Sequence, residues 1–546
     1  MVSIKYEIRY LTKENEETVK IMTAEQGENL LQFLREHHVA LEAACNGKGV
    51  CGKCRVRIRK GNAPVTESDR RFFTEQELAA GIRLACEVRV QDDLTVCAMD
   101  ERMDIQAIGL LQGAGSVEAC RNAEAACSLG VQSGEKRFQL AVDLGSTTLA
   151  AVLLDAQGTV LAQASAVNSQ RAYGADVLSR IQASKEGQGR QLQECICRDL
   201  EQLFDTLVSG QKEAVFISEI AIAGNTTMFH LLRGYSCETL GQAPFEPVSV
   251  EMECLDYREL FSDVPGCSDS KVYLLPGISA FIGADITAGL YSSGFWQTGA
   301  DAPAFFIDLG TNGELAYGSR EGFFSTSTAA GPAFEGGRLS CGVPGIPGAI
   351  RGVSFLYHRV RIQTIGQKKP CGICGTGAME ATAALLREGL LDTDGLLAPQ
   401  LFEAGLLLAH REDGSGICLT QADIREIQLA KAAIRAGLWV LQHRYEEAYG
   451  SAADQSRPGR IFLAGGFGYY LSADTAAAIG LFAPEWKDRI VLCGNTSLKG
   501  AAAFLTEPSC AKELERIRTK NHSVRLESDA AFQERFVQEM RFPDQG

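Results

Sequence analysis

The chain has 546 residues, of which 45% are hydrophobic and 22% are charged, and it carries a net charge of −15 at pH 7. This composition is ordinary for a globular protein, and the length suggests roughly three or four domains of about 150 residues each. The acidic balance disfavours a nucleic-acid partner, because phosphate backbones require a lysine- and arginine-rich surface, and no apolar run approaches the roughly 18–20 residues of a membrane span.

The first residues, MVSIKYEIRYL, alternate polar and apolar side chains as a β-strand does. They lack the apolar core and the small-residue cleavage site of a signal peptide, which predicts a cytoplasmic protein. In a cytoplasmic chain, the 18 cysteines are expected to be reduced thiols or metal ligands rather than disulfides.

Residues 1–99 are predicted to form a small β-grasp domain. The strands SIKYEIRYL and ETVKIMTA precede a helical pattern in NLLQFLREHHV, and the strand CRVRIRKG follows a cysteine-rich loop. The stretch TEQELAAG predicts a short helix, because Thr74 and Glu77 stand in capping-box register. Strands in IRLACEVRV and LTVCAM complete the unit.

The loop CNGKGVCGKC concentrates three cysteines in ten positions, with glycines between them. The spacing is Cys45-x5-Cys51-x2-Cys54, and Cys86 follows after 31 more residues. Four thiolates are the ligand set of a [2Fe–2S] cluster, and the first gap is one residue longer than in the plant-type pattern, as in the adrenodoxin type. A structural zinc site is expected to use paired CxxC motifs, and only one is present. We therefore predict that these four cysteines hold a [2Fe–2S] cluster.

Residues 100–136 are rich in alanine, glycine and charged side chains, which predicts a linker between domains. This stretch is also a candidate element for forming a homodimer. Nothing near Cys120 and Cys127 completes a ligand set.

An internal repeat begins after the linker. FQLAVDLGSTTLAAVLLDAQG contains an apolar strand, a turn and a second apolar strand, and FFIDLGTNGELAYGSREG repeats this order. Asp143 and Asp308 occupy equivalent positions, 165 residues apart. A repeat of this size predicts two related lobes, which we place at 137–300 and 301–546.

The turn of each repeat has the chemistry of a phosphate-binding hairpin. Backbone N–H groups and hydroxyls at such turns bind phosphate oxygens, and Asp143 or Asp308 can hold Mg²⁺ directly or through water. Two such hairpins across a cleft would bind one polyphosphate from both sides. A plain β-hairpin is the alternative, and the second copy at an equivalent position argues against it.

Three further stretches predict strand-to-helix corners. GRIFLAGGFGYYLS places Gly465 and Gly466 after an apolar strand, where a flat ring can approach the backbone closely, and predicts a helix from Ser472. AGNTTMFH and CGNTSLKGA place an Asn-Thr pair at two similar corners.

Together, these motifs resemble the actin, sugar-kinase and Hsp70 ATPase superfamily, known as ASKHA. The resemblance implies a phosphate-1 loop, a phosphate-2 loop and an adenosine loop, with Asp143 and Asp308 as the catalytic carboxylates. The residues that the resemblance assigns to ATP are Gly145, Ser146, Thr147, Thr148, Gly310, Thr311, Asn312, Gly313, Gly465, Gly466 and Phe467.

A [2Fe–2S] domain fused to this ATPase resembles, more specifically, the reductive activators of corrinoid proteins. The stretches AGNTTM, PGISAFIGADITAG, IDLGTNGE, AAGPAFEGG and AGGFG are similar to that family. The resemblance implies an α+β and α/β multidomain protein that uses ATP and Mg²⁺ to drive one electron from the cluster to an inactive Co(II) corrinoid protein, giving Co(I). It also implies a low-potential electron donor such as a ferredoxin or a flavodoxin.

Three other functions remain open from the sequence. They are a small-molecule kinase with a redox-sensing domain, an activator of the hydroxyacyl-CoA dehydratase type and a non-enzymatic ATP-dependent scaffold. The dehydratase type carries its cluster on cysteines of the ATPase core and has no β-grasp domain, so the N-terminal cysteines argue against it.

A few residues have more than one interpretation. Cys371-x2-Cys374 precedes a glycine-rich turn, which is typical of a loop–helix corner but also fits a nucleotide contact, a redox pair or half of a metal site. Glu335 is expected to contact nucleotide or partner, or to cap a turn. Asp285, near a helix start, is expected either to cap the helix or to orient the attacking water, and the pattern favours capping.

Overall fold

The computed structural model describes residues 4–11, 18–37, 39, 41–43, 45–99, 137–211, 214–310, 312–450, 458–465 and 471–545. The predicted linker at 100–136 lies outside the described residues, together with the predicted site residues Thr311, Gly466 and Phe467.

The N-terminal residues form a five-stranded sheet with one helix packed on it. Its strands are β1 (Lys5–Leu11), β2 (Thr18–Glu25), β3 (Arg55–Lys60), β4 (Ile82–Leu84) and β5 (Leu94–Ala98). The order is β2–β1–β5–β3–β4, with β1 parallel to β5. Helix α1 (Leu30–Glu36) buries its leucines and Phe33 in the core of this sheet. The β-grasp prediction is therefore confirmed, although β4 is shorter than the strand predicted in IRLACEVRV.

Two short helices connect β3 to β4. They are α2 (Glu67–Phe72), which the sequence patterns did not predict, and α3 (Glu75–Ala79). The predicted capping box begins α3, since Thr74 and Glu77 bond reciprocally to each other's backbone N–H groups. An equivalent box at Thr66 and Asp69 begins α2, so both helices are fixed locally at their first turns.

The first lobe is a six-stranded sheet with helices on both faces. Its strands are β6 (Arg137–Leu144), β7 (Thr148–Leu154), β8 (Val160–Val167), β9 (Phe216–Gly224), β10 (Glu253–Asp256) and β11 (Lys271–Leu274). Its helices are α4 (Val177–Ala183), α5 (Gly189–Ser209), α6 (Thr226–Arg233) and α7 (Ala284–Ser292). The strand order is β10–β11–β9–β6–β7–β8.

The second lobe repeats this plan. The strands of its main sheet are β12 (Ala304–Leu309), β13 (Gly313–Ser319), β14 (Gly322–Thr328), β20 (Ile461–Ala464), β21 (Ile490–Gly494) and β22 (Asn521–Ser523), in the order β21–β20–β12–β13–β14–β22. Smaller sheets are built from β15 (Ala349–Leu356), β16 (Arg359–Thr364), β17 (Gly372–Ile373), β18 (Leu406–His410) and β19 (Gly416–Leu419). The helices are α8 (Gly375–Arg387), α9 (Gln421–Tyr449), α10 (Ala473–Ala478), α11 (Thr496–Thr506), α12 (Cys510–Lys520) and α13 (Ala530–Gln538).

The repeat is visible in the strand pairing. In each lobe, three consecutive antiparallel strands (β6–β7–β8 or β12–β13–β14) are followed by a parallel neighbour of the first strand (β9 or β20). The equivalent carboxylates Asp143 and Asp308 lie near the ends of β6 and β12. The prediction of an α+β and α/β multidomain protein is therefore confirmed.

Helices α7 and α11 join the two lobes at a close crossing. A Cβ added at Gly500 would lie 2.4 Å from the carbonyl oxygen of Ala288, so only glycine allows this approach. One hydrophobic cluster contains residues of both main sheets and of both helices, including Val152, Phe306 and Leu498. Among the described residues, no helix combines the length and the apolar character needed to cross a membrane.

Candidate functional site

The four predicted cluster ligands lie together as two contacting pairs of thiols. Cys45 contacts Cys51 within the loop, and Cys54 contacts Cys86, which the turn after β4 brings to it. The hydrogen bond from the Cys86 thiol lowers the pKa of Cys54 to about 7, while burial raises the pKa of Cys51 to about 11. Among the described residues, no three His, Cys, Asp or Glu side chains converge on a position for one metal ion.

This paired arrangement fits a diiron cluster better than a single zinc ion. A structural zinc site needs four ligands around one centre, whereas a [2Fe–2S] cluster takes two protein ligands on each of its two irons. The pairs Cys45–Cys51 and Cys54–Cys86 supply two thiols each, at two neighbouring places. The donor set therefore fits the predicted cluster.

Glycines of the loop allow the chain to pass close to α2 and to the turn after β4. Gly52 has a φ of 68°, and a Cβ there would lie 2.6 Å from the ring of Phe72. Gly49 has a φ of 69°, and its Cβ would lie 2.4 Å from a carboxylate oxygen of Glu87. A side chain at either position would displace the loop that carries Cys45 and Cys51.

Asp143 lies at the end of β6 and is held by the first residues of the α11 region. Its Oδ1 accepts a hydrogen bond of 2.7 Å from Ser497, and its Oδ2 accepts one of 2.8 Å from Asn495. Its position deep in the molecule raises its pKa, and these two hydrogen bonds oppose the shift. Both oxygens of this carboxylate are thus engaged by protein.

Asp308 occupies the equivalent position in the second lobe but differs in its surroundings. Within the described residues its carboxylate accepts no hydrogen bond, and its neighbours Asp143 and Glu335 add to the effect of burial, raising its pKa to about 7. A Cβ at Gly465 would lie 2.6 Å from Asp308 Oδ1, so Gly465, the first residue of the predicted adenosine loop, lies directly against this carboxylate.

Two further carboxylates lie close to Asp308. Burial and the charges of Asp308 and Asp143 raise the pKa of Asp285 to about 7. Burial, Asp285 and Asp308 raise the pKa of Glu314 well above its usual value, although Ser327 donates a hydrogen bond of 3.2 Å to it. Helix α7 is capped at Gly283, and Asp285 is its second residue, so Asp285 is not the N-cap. Sequence reasoning missed Glu314, although it follows IDLGTNG directly.

The phosphate-1 loop is a tight turn between β6 and β7. A Cβ at Gly145 would lie 2.4 Å from the carbonyl oxygen of Thr148, so a larger residue would open the turn. Two side chains hold the backbone of this loop. Asn168 donates a hydrogen bond of 2.9 Å to the carbonyl of Gly145, and Arg180 donates one of 2.5 Å to the carbonyl of Ser146. Thr147 is exposed at the tip, and Ser146 and Thr148 are half-buried.

The phosphate-2 loop lies between β12 and β13. The N–H of Gly310 donates a hydrogen bond of 3.0 Å to the carbonyl of Asn312 across the turn. Gly313 begins β13 where a Cβ would lie 2.2 Å from the side chain of Ile434 on α9. A Cβ at Gly310 would contact Glu335 at 3.8 Å, so this glutamate lies beside the loop.

The predicted adenosine corner is described only in part. Gly465 directly follows β20 and has a φ of 87°, and Ser472 caps α10 through a hydrogen bond of 3.0 Å from the N–H of Thr475. The hydroxyl of Thr475 donates a hydrogen bond of 2.6 Å to the carboxylate of Glu380 on α8. The structure thus places α8 beside the far end of this corner.

The remaining cysteine motif forms a strand-to-helix corner. Cys371 is half-buried before β17, and Cys374 is a buried residue at the start of α8, whose thiol donates 3.3 Å to the carbonyl of Ile350. No group of three metal-ligating side chains occurs here among the described residues. The arrangement favours the interpretation as a loop–helix corner.

Comparison with known protein families assigns all three parts of the chain. The family descriptions that match are "2Fe-2S iron-sulfur cluster binding domain" at residues 13–91, "RACo middle region" at 138–298 and "C-terminal domain of RACo the ASKHA domain" at 302–546.

Two curated relatives and one solved structure are similar over most or much of the chain. The corrinoid activation enzyme RamQ of Eubacterium limosum is 31% identical over 76% of this chain and 72% of its own length. The "[Co(II) methylated amine-specific corrinoid protein] reductase" of Methanosarcina barkeri is 28% identical over 56% of this chain and 58% of its own. The solved "reductive activator for corrinoid, iron-sulfur protein" has a TM-score of 0.66 and 25% identity, with 98% of both chains covered.

Proposed function

The chain belongs to the RACo family of reductive activators of corrinoid proteins, and from this premise we propose how its own residues perform that activity. The protein is an ATP-dependent reductase that transfers one electron from a [2Fe–2S] cluster to the inactive Co(II) of a corrinoid protein, which becomes Co(I). The observation that supports the residue assignment is the presence, in one chain, of two thiol pairs and of two equivalent hairpins whose carboxylates Asp143 and Asp308 lie close together.

In this proposal Cys45, Cys51, Cys54 and Cys86 are the ligands of the cluster. When bound, the cluster carries one electron, at a reduction potential of about −400 mV in plant-type proteins. The loop glycines hold the first pair close to α2, and the turn after β4 presents Cys86 to Cys54.

ATP is bound between the lobes by the two hairpins. Backbone N–H groups and hydroxyls at Gly145–Thr148 and at Gly310–Gly313 bind the phosphates, and the corner at Gly465 and the two residues after it receives the adenosine. Of these residues, Ser146, Thr148 and Asn312 are half-buried and Thr147 is exposed.

Mg²⁺ belongs to the same proposal, with Asp308 as its main protein ligand. Asp308 is the better candidate because both oxygens of Asp143 already accept hydrogen bonds from the protein. Several carboxylates deep in one cleft raise one another's pKa, and a divalent cation removes this unfavourable repulsion.

Asp285 is the residue that we assign to the attacking water. It lies close to both Asp143 and Asp308, beside the carboxylate that we propose for Mg²⁺, where a carboxylate can accept the proton of the attacking water. The water oxygen bonds to the γ-phosphorus, the bond to the bridging oxygen of ADP breaks, and the proton of the water passes to Asp285. Positioning and charge neutralisation by the hairpins supply most of the catalysis.

Coupling to ATP is needed because the acceptor has a lower potential than the donor. A one-electron transfer is uphill by about 1.4 kcal/mol for every 59 mV of unfavourable difference. ATP turnover changes the arrangement of the two lobes, and this change favours the state of the bound corrinoid protein that accepts the electron.

The remaining assignments concern the surroundings of the protein. We propose a low-potential ferredoxin or flavodoxin as the electron donor, because the cluster must be reduced at a very negative potential. We also propose a cytoplasmic location and a homodimer formed through residues 100–136.

The test is an anaerobic assay with reconstituted protein, a reductant, ATP, Mg²⁺ and a purified Co(II) corrinoid protein. Growth of the Co(I) absorption band that requires ATP supports the proposal, and formation of a phosphorylated small molecule instead of Co(I) contradicts it. Asp308→Asn is expected to abolish the ATP-dependent part, and Cys371→Ser, outside both proposed sites, serves as the control.

A further inference from the structure

One stretch of the first lobe, residues 168–188, contacts both the phosphate-1 loop and the domain that carries the cysteine loop. We call it the bridging segment. It contains a 3-10 turn at Ser169–Ala172, helix α4 and a kinked turn at Ser184–Gln188, in which Gly187 has a non-helical backbone conformation. Its position matters because the proposed function requires the nucleotide cleft and the cluster to influence each other.

The first end of the bridging segment supports the phosphate-1 loop directly. Asn168, fully buried, donates to the carbonyl of Gly145 at 2.9 Å, and its own N–H donates to that of Thr147 at 3.0 Å. Arg180, also fully buried, donates to the carbonyl of Ser146 at 2.5 Å. These three bonds hold three successive carbonyl oxygens of the loop, so its backbone cannot move without moving the segment.

Arg180 also ties this support to the rest of the segment. Its Nε donates a hydrogen bond of 3.0 Å to the carbonyl of Gly174, and its Nη1 donates one of 3.3 Å to the side-chain oxygen of Gln170. Burial lowers the pKa of its guanidinium to about 10, with the charges of Asp176 and Asp199 opposing the shift. A buried cation with this many bonds has one favourable arrangement, because a lost partner costs far more in the interior than at the surface.

The second end of the bridging segment meets Arg35 of α1. Arg35 is 7% exposed, donates to the carbonyl of Ala172 and lies 4.8 Å above the ring of Tyr173. Burial lowers the pKa of Arg35, while Tyr173 and the charges of Cys54, Cys45 and Cys86 oppose that shift. The guanidinium therefore faces the segment on one side and three of the proposed cluster ligands on the other.

The kinked turn at Ser184–Gln188 contacts the cysteine loop itself. Asn46, next to Cys45, donates a hydrogen bond of 2.8 Å to the side chain of Gln188 and one of 3.3 Å to that of Glu186. The ammonium group of Lys48 also lies 3.5 Å from the carboxylate of Glu186. This turn contains Gly187 at a φ of 91° and continues directly from α4, which carries Arg180.

We propose that the bridging segment transmits the state of the nucleotide cleft to the cluster, with Arg180 and Arg35 as positioning residues at its two ends. This inference rests on the proposed function and assigns the coupling to named residues. Phosphates bound at Ser146 and Thr147 shift the carbonyls that Arg180 and Asn168 hold. The shift reaches Ala172 and Tyr173 and thereby changes the distance between the charge of Arg35 and the cluster.

Thermodynamics requires the coupling between the nucleotide and the cluster to be reciprocal. If nucleotide changes the potential of the cluster, reduction of the cluster must change the affinity for nucleotide by the same factor. A tenfold ratio of nucleotide affinities between the reduced and oxidised protein corresponds to a shift of about 59 mV in the one-electron potential.

The experiment measures nucleotide affinity of the full-length, cluster-containing protein in its oxidised and dithionite-reduced states. The probe is the non-hydrolysable analogue AMPPNP, and the EPR-monitored potential is measured with and without it. Wild-type protein is expected to show an affinity ratio of about fivefold or more, within the usual range of allosteric coupling. Arg180→Lys and Arg35→Gln are each expected to bring this ratio close to one.

Arg35→Gln has a second expected effect that a purely structural role would not produce. Removal of a positive charge beside the cysteines disfavours the more negative, reduced cluster, so the potential without nucleotide falls. Arg180→Lys leaves that potential near the wild-type value. Arg190→Gln is the control, because Arg190 lies on the exposed side of α5 and pairs with Glu194.

The outcomes separate this inference from the proposed function. A wild-type ratio of one, or wild-type ratios in folded Arg180→Lys and Arg35→Gln proteins, overturns the inference even if ATP-dependent Co(I) formation is intact. If Arg180→Lys does not fold, the Arg35 variant decides the question, because Arg35 lies outside the first lobe. Absence of Co(I) formation by wild-type protein overturns the proposed function instead.

Discussion

The hydroxyl of Ser497, on a helix of the second half of the chain, donates a 2.7 Å hydrogen bond to Asp143 at the end of a strand in the first lobe. This bond, together with the one from Asn495, ties the phosphate-1 hairpin to α11, which packs on α7 across the lobe boundary. The cleft is therefore closed at its base by a carboxylate that belongs to one lobe and by donors that belong to the other.

The first prediction concerns this contact. Ser497→Ala is expected to lower the free energy of unfolding by about 1.5–3 kcal/mol, because hydrogen bonds to charged groups in the interior contribute that much. Denaturant unfolding of the variant and of wild-type protein, with and without ATP, measures this loss of stability. Ser292→Ala removes a neutral bond to the carbonyl of Thr496 in the same interface and is expected to cost only about 1 kcal/mol. Equal losses in the two variants would contradict the assignment.

The second prediction concerns pH and follows from Asp308 and Asp285, whose pKa values are raised to about 7. An unfolded chain releases these protons near pH 4, but the folded protein keeps them until about pH 7. The folded state without nucleotide and metal therefore loses stability as the pH rises from about 4 to about 7. Thermal unfolding across this range measures the slope, which Asp308→Asn is expected to reduce. A slope that Asp308→Asn leaves unchanged argues against the raised pKa.

The third prediction concerns the approach of the adenosine corner to the cleft. Gly465→Ala adds a Cβ 2.6 Å from Asp308 at a φ of 87°, so we expect weaker ATP binding by at least tenfold. Gly389→Ala also has a positive φ, of 66°, but its Cβ meets nothing within 4 Å. It is expected to lose only about 1 kcal/mol of stability and no ATP affinity. Calorimetric titration with AMPPNP distinguishes these outcomes, and unchanged affinity in Gly465→Ala counts against a nucleotide site there.

The fourth prediction concerns the cysteines. Cys51→Ser removes one member of the first thiol pair, and we expect loss of the visible absorption of the cluster and of most of the bound iron. Cys97→Ser is the control, because Cys97 is a buried core residue of β5 that is 3% exposed. Iron and sulfide analysis after anaerobic reconstitution measures both. Full iron content in Cys51→Ser would show that this pair is not a ligand pair.

Local sequence signals were sufficient for the elements that carry them. The capping box at Thr74, the turn at Gly145 and the repeat of Asp143 at Asp308 each lie within a short stretch, and the structure contains all three features. The ferredoxin and ASKHA folds also followed from such stretches.

Contacts between distant residues could not be predicted in the same way. The bonds from Ser497 and Asn495 to Asp143 join residues more than 350 positions apart, and no spacing rule connects them. Arg180 and Arg35 resemble ordinary surface arginines in sequence, and only their burial shows their role. Asp285 was expected as a helix cap because it stands near the start of α7, but Gly283 takes that position.

The most direct test follows Co(II) corrinoid protein by absorption spectroscopy after mixing with pre-reduced protein, in the presence or absence of MgATP. The central claim predicts that the Co(I) band grows with MgATP, and that it is absent without nucleotide and in Asp308→Asn protein that retains its full iron content. Growth of the band at the same rate without nucleotide would show that electron transfer does not depend on the cleft, and would contradict the claim.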